Sequence, residues 1–134
     1  MKQIIAALIK FQQEVGPIHK ESSAQYGKYA DLQTILTKVN PVLNENGLFI
    51  TQLLTGKNLI TEVHHTSGEA LVSDCELVLT EGRNALHTWG GAVTYQRRYA
   101  ILSILGLATE DDDGDSAGHK MVKTNSLSNV DDFF

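Results

Sequence analysis

Glu69-Ala-Leu-Val-Ser-Asp-Cys-Glu-Leu-Val-Leu-Thr80 alternates along its whole length. Leu71, Ser73, Cys75, Leu77 and Leu79 fall on one side of an extended chain, and Val72, Asp74, Glu76 and Val78 on the other. A period of two belongs to a β-strand with one buried face. The run before it, Leu59 to Thr66, alternates too, and Ser67-Gly68 between them has the chemistry of a tight hairpin. Further back, Leu48 to Leu54 is short, apolar and partly β-branched, with Thr55-Gly-Lys-Asn58 as its turn. Three consecutive strands joined by short turns make an antiparallel meander with one buried face.

On both sides of the meander the period changes to that of a helix. Residues 2 to 15 carry Ile4, Leu8, Phe11 and Val15 at helical spacing, and Gly16-Pro17 is a stop. Ile18 to Gly27 is polar and aperiodic and reads as loop. A second helix runs from Tyr29 to Asn46 on Leu32, Ile35, Leu36, Val39 and Leu43, stopped by Gly47. Inside it, Asn40-Pro41 either caps a new helical segment or kinks the helix. After the meander, Ala85 to Thr88 is ambiguous. Trp89-Gly-Gly-Ala-Val-Thr-Tyr-Gln-Arg-Arg-Tyr-Ala-Ile-Leu-Ser-Ile-Leu-Gly-Leu107 then opens with two glycines and predicts a last helix from Gly91 to Leu105. The expected fold class is α+β, with helices packed on a small antiparallel three-stranded sheet in a β-β-β-α core.

The chain of 134 residues is 42% hydrophobic and 20% charged, which suits one globular domain with one modest core. No apolar run approaches the ~20 residues of a membrane-spanning helix. The first ten residues read as an amphipathic helix rather than a signal peptide. Cys75 is the single cysteine, so no internal disulfide forms, which fits a reducing cytosol. The net charge of -5 is unevenly spread. Residues 1 to 109 hold nine Lys+Arg and nine Asp+Glu, while residues 110 to 134 hold two lysines and seven acids. The body is therefore neutral, and any basic surface must come from arrangement. Two regions are expected: a core over 1–109 and a disordered acidic tail over 110–134.

Four constellations bear on chemistry. Arg97 and Arg98, with Thr94, Tyr95 and Tyr99, give the last helix a donor-rich aromatic front. Arginine grips phosphates and tyrosine stacks on unpaired bases. Equally, the arginines can pair with sheet carboxylates while the tyrosines fill the core. Adjacent helical residues diverge by about 100°, so not all four can share one face. Gly90-Gly91, placed before a helix, either exposes N–H groups to an anion or makes a tight turn or close helix–sheet contact. His64, His65, Cys75 and His87 lack the paired spacing of a zinc site, and Cys75 sits among apolar residues. Glu110 to Asp113 with Asp115 lacks the spacing of a calcium loop. No catalytic triad, Walker loop or dinucleotide fingerprint occurs.

Three blocks give the chain a resemblance. They are Tyr26-Gly-Lys-Tyr-Ala-Asp-Leu32 continuing to Asn40-Pro41 and Asn46-Gly47-Leu48; His64-His-Thr-Ser-Gly-Glu69; and Gly91 to Leu107 followed by Glu110-Asp-Asp-Asp113. Together they resemble the Erf (essential recombination function) family of phage single-strand annealing proteins, within the Rad-type/Red beta-like annealing superfamily. The third block is the most specific, because its Thr-Tyr-x-Arg-Arg-Tyr core and trailing acids occur together.

The resemblance implies binding of single-stranded DNA and annealing of complementary strands in phage homologous recombination. It also implies assembly into rings or helical filaments with no nucleotide triphosphate or other cofactor, and work in the cytoplasm of the bacterial host. The expected agent is a binding and assembly protein, not an enzyme. Arg97 and Arg98 are expected on phosphates, helped by Lys28, Lys38 or Lys57, with Tyr95 or Tyr99 stacking. The ending Val130-Asp-Asp-Phe-Phe134 looks like the acidic, Phe-terminated tip of bacterial single-stranded-DNA-binding proteins. Asp131, Asp132, Phe133 and Phe134 are therefore expected to recruit host replication or repair proteins, or to compete with DNA. The competing functions are a protector of single strands that does not anneal and a metal-dependent nuclease using Glu110 to Asp113.

Overall fold

A computed structural model describes residues 1–19, 22–24, 27–29, 31–78 and 85–109, with side chains described except at 22–24, 27–29, 85 and 87. The expected acidic tail, with Glu110 to Asp113, Asp115 and Asp131 to Phe134, lies outside the described residues. The element order is α1 (Lys2–Val15), β1 (Ser22–Ala24), β2 (Gly27–Tyr29), α2 (Leu32–Glu45), β3 (Leu48–Thr55), β4 (Asn58–His65), β5 (Ala70–Glu76) and α3 (Ala85–Leu105). The α+β class and the three-strands-then-helix core are as the alternation predicted.

The main sheet is antiparallel in the order β3-β4-β5, with Thr51 opposite Glu62 and Glu62 opposite Val72. Leu48, Leu59, Thr61 and Val63 point to the helix side and are buried. Phe49, Leu53 and Val72 point the other way and are about half exposed, at 50%, 47% and 60%. One buried face follows from the period of two, but the outer face is more apolar than alternation alone requires.

The core gathers one stripe from each helix against that inner face. Ile4, Phe11 and Val15 of α1 meet Ile35, Val39 and Leu43 of α2, Leu48 and Val63 of the sheet, and Ile101, Leu102 and Leu105 of α3. A smaller cluster, Leu59, Leu77 and Val93 with Trp89 and Ala100 packed on it, continues toward the front of α3. α1 leaves Met1, Ile5 and Ile9 exposed at one-turn intervals.

Two caps fix the helix entries. Asp31 accepts a hydrogen bond from the Thr34 amide at 2.8 Å and starts α2. Glu69, from the β4–β5 turn, accepts from the Ile4 amide at 2.8 Å and lies 3.1 Å from the Met1 ammonium. The Ile4 N–H bond, with the ammonium beside it, holds the Glu69 carboxyl below its ordinary pKa. A carboxylate at the first turn of a helix is also favoured by the helix dipole. Gly47 ends α2 with φ 72, and a Cβ there would lie 3.1 Å from Thr66 Oγ1, so only glycine fits without strain.

Three expectations change. Ser22–Ala24, in the stretch read as loop, pairs with Gly27–Tyr29 as a small antiparallel hairpin that reaches into the expected start of the second helix, and α2 begins only at Leu32. Strands of three residues carry too little pattern to announce themselves. Pro41 lies inside α2 and does not end it, because the buried positions on either side, Val39 and Leu43, hold the helix to the core. α3 begins at Ala85, six residues before the expected start.

Candidate nucleic-acid interface

The early start of α3 moves Gly90 and Gly91 from a loop into the helix. A Cβ built on either would meet nothing within 4 Å. The pair is therefore neither an anion-holding turn nor a point of tight packing. Two interior glycines disfavour a helix by about 1 kcal/mol each relative to alanine, and the contact of Trp89 and Val93 with Leu59 and Leu77 keeps the turn formed.

The basic and aromatic front is divided between three directions. Tyr95 and Tyr99, one turn apart, are 49% and 53% exposed. Their ring centroids are 6.3 Å apart at 23° between planes. Arg97 is on the opposite flank of the helix, since two residues turn it by about 200°. Its Nε donates to Gln52 Oε1 at 2.9 Å. Gln52 Nε2 in turn donates to the Arg97 carbonyl at 3.1 Å and to Thr61 Oγ1 at 3.0 Å. Arg98 points inward and is 3% exposed. Its Nη2 donates to Thr109 Oγ1 at 3.0 Å, and its guanidinium carbon lies 5.0 Å from the Tyr99 ring centroid. That contact braces the exposed Tyr99 ring from behind.

A small cleft opens beside the tyrosines, lined by Asp31, Leu32, Thr94, Tyr95 and Arg98. It shares Leu32 with a hollow over α2 formed by Leu32, Gln33, Leu36, Thr37, Asn40 and Pro41. That hollow shares Gln33 and Thr37 with a third, which reaches His19 and Lys38. The three are neighbouring hollows that share lining residues along α2, the first beside Tyr95 and the last reaching Lys38. Sequence reasoning missed this row of hollows because Pro17 to His19, α2 and α3 contribute to it from three separate segments; of its lining, Lys38, Thr94, Tyr95 and Arg98 carried a signal.

Lys57 is exposed in the β3–β4 turn, where its carbonyl accepts from the Leu77 amide at 2.7 Å. Lys28 is on β2 and its side chain is not described. Cys75 is exposed, with the buried Leu59 as its cross-strand partner. His64 stacks on Phe49 with centroids 4.8 Å apart on the outer face, while His65 bonds to Ser67. Among the described residues no three His, Cys, Asp or Glu side chains converge on a metal-sized site. No helix among them is long and apolar enough to cross a membrane.

The described chain is thus a three-stranded meander backed by a long helix that carries two exposed, stacked tyrosines. Residues 4–130 match the ERF superfamily model, and the chain belongs to that superfamily, a family of phage recombination proteins of the single-strand annealing type. The match runs past residue 109 and stops before Asp131. No curated protein and no solved structure matches the chain.

Proposed function

We propose that this protein binds single-stranded DNA along this row of hollows, the α3–α2 tract, and anneals complementary strands. It does so without nucleotide hydrolysis, as a homo-oligomeric ring or filament in the host cytoplasm. The observation that carries the reading is the half-exposed Tyr95–Tyr99 stack at the head of a tract that ends at Lys38. Stacking on an aromatic face is indifferent to sequence, since every base has a π-face. Two tyrosines engage few bases, so most of the strand stays free to pair, as annealing requires.

Phosphate contact falls to Arg97 and Lys38, helped by Lys28 and Lys57, with Arg98 supporting Tyr99 from within. So few cations on a neutral body make binding by one copy weak, and repetition in an oligomer adds the contacts together. The exposed Met1, Ile5 and Ile9 stripe of α1 supports association of copies. Asp131, Asp132, Phe133 and Phe134 serve as a recruiting tip for host replication or repair proteins, a reading supported by their acidic–aromatic composition.

Fluorescence anisotropy with a labelled single-stranded oligonucleotide tests the tract. The Tyr95→Ala/Tyr99→Ala variant should lose roughly 10- to 100-fold in affinity, from about 1–3 kcal/mol per stacked base. Lys38→Ala should lower the slope of log affinity against log salt by about one. Full affinity in the folded double-tyrosine variant removes the tract. Annealing of complementary oligonucleotides then separates an annealer, which speeds pairing, from a protector, which slows it.

A further inference from the structure

The three helices gather on the inner face of the main sheet, where Leu48, Leu59 and Val63 are buried against them. The outer face is built from the alternate residues. In the strand register Phe49 stands opposite His64, Thr51 opposite Glu62, and Leu53 opposite Ile60. Glu62 in turn faces Val72 on β5, and Ile60 faces Asp74. Phe49, Leu53 and Val72 are all about half exposed.

The charge of this face has one sign. β3, β4 and β5 hold three acids, Glu62, Asp74 and Glu76, and no lysine or arginine. All three acids fall on the outer face by the period of two. Glu62 meets Thr51 and His64, and Asp74 accepts from Asn58. Among the described residues none of the three meets a lysine or arginine. The face is also lopsided. Its apolar side is Phe49 and Leu53 on β3, and its acidic side is Asp74 and Glu76 on β5, two strand spacings or about 10 Å away. Carboxylates without cations repel a phosphate backbone and an anionic lipid surface alike. An apolar strip bordered by unmatched acids fits a ligand that is apolar and cationic together.

We propose that the outer face of β3–β5 docks a basic amphipathic helix of a partner protein. The helix lies along β3 with its apolar stripe on Phe49 and Leu53 and its Lys/Arg flank over Asp74 and Glu76. Helices are the common cover of a sheet face. Phe49 to Leu53 spans about 14 Å along the strand, roughly two and a half helical turns, so apolar residues at i, i+4 and i+7 reach both. A helix about 10 Å across also carries its flank to β5. There the long stems of lysine and arginine cover Val72 while their heads meet the acids. An extended segment added at the β3 edge would leave those acids unmatched, and a neutral helix would bury Glu62 without a cation. α3 is on the other side of the sheet, so a partner held here does not displace DNA from the tyrosines. The proposal does not rest on the DNA reading.

The experiment is done without DNA. The probe is a labelled peptide of about 18 residues, roughly five helical turns, with leucine on one face and lysine along one flank. A second peptide has glutamate for each lysine. Fluorescence anisotropy with the full chain should show the lysine peptide bound roughly 10-fold or more tighter than the glutamate peptide. Asp74→Lys/Glu76→Lys should invert that preference. Glu62→Gln/Asp74→Asn, closer to the parent in shape, should weaken the lysine peptide by about 10-fold. Leu53→Asn should weaken it by roughly 5- to 10-fold with an unchanged circular dichroism spectrum. Tyr95→Ala/Tyr99→Ala should bind it like the parent. A lysine peptide held equally by the parent and by both acid variants overturns the proposal, since the acidic residues after Thr109 then hold it. So does a folded Leu53→Asn variant that sediments as a smaller species, since a second copy then covers the face.

Discussion

Replacing Arg98 by alanine separates a structural arginine from a DNA-binding one, and its magnitude can be worked from its burial and two contacts. The side chain is 3% exposed, donates to Thr109 Oγ1 at 3.0 Å, and sits 5.0 Å from the Tyr99 ring centroid. A hydrogen bond from a charged group is worth about 1.5–3 kcal/mol. A cation–π contact adds about 0.5–2 kcal/mol. Removal of both, with Thr109 left buried at 3% exposure, should cost roughly 2–4 kcal/mol, a large share of the ~5–15 kcal/mol that stabilises a domain. For a folded body of this size that is roughly a 10 °C fall in melting temperature. The damage has a definite place. Thr109 forms a parallel bridge with Ile18, so Arg98 fastens the segment leaving α3 to the segment leaving α1. Thermal melts followed at 222 nm give the stability, and anisotropy well below the melt gives the affinity. Thr109→Val should couple to Arg98→Ala in a double-mutant cycle by about 1 kcal/mol or more. An Arg98→Ala protein that melts within about 2 °C of the parent while losing DNA affinity refutes this account and returns Arg98 to the DNA.

Gly90→Ala with Gly91→Ala should stabilise the protein by about 1–2 kcal/mol, because both positions are helical and open; urea midpoints measure it, and destabilisation would show that the glycines are needed for shape. Glu69 predicts an acid limb. Its folded pKa is lowered by the Ile4 N–H bond and the Met1 ammonium, so its contribution is fully present above the ordinary glutamate value of about 4.3. It fades as pH falls through the lowered folded value. Glu69→Gln should therefore be less stable than the parent at pH 7 and converge with it once pH falls below the lowered folded value, and parallel curves at every pH would count against the cap.

What could be read from the sequence is what depends on near neighbours. Alternation from Leu59 to Glu76 marks two strands, because burial on one side of a pleat leaves a period of two, and the short apolar run from Leu48 marks the third. Ile4, Phe11 and Val15 mark α1 for the same reason at the helical period. The division of labour on α3 was not readable. Sequence states that Arg97 and Arg98 diverge, but which turns inward is decided by Gln52, 45 residues away, and by Thr109. The start of α3 was missed because local propensity at Gly90-Gly91 argues for a break, and Leu59 and Leu77 outweigh it from a distance. The DNA tract depends on a hollow between segments, and no single run of sequence contains it.

Pro41 has a consequence for ligand chemistry. It sits in the middle of α2 with no amide hydrogen, so the carbonyl of Thr37, four residues back, loses its helical donor. Thr37 lines the hollow over α2 and the one that continues to Lys38. The tract therefore holds a main-chain acceptor partway along its floor, with a lysine at its end. A phosphate gains nothing from a carbonyl oxygen, whereas the exocyclic amine of adenine, cytosine or guanine does. A strand seated there would put its backbone toward Lys38 and turn a base toward Thr37, and since every unpaired base carries an N–H donor, thymine through N3, the acceptor would hold any of them.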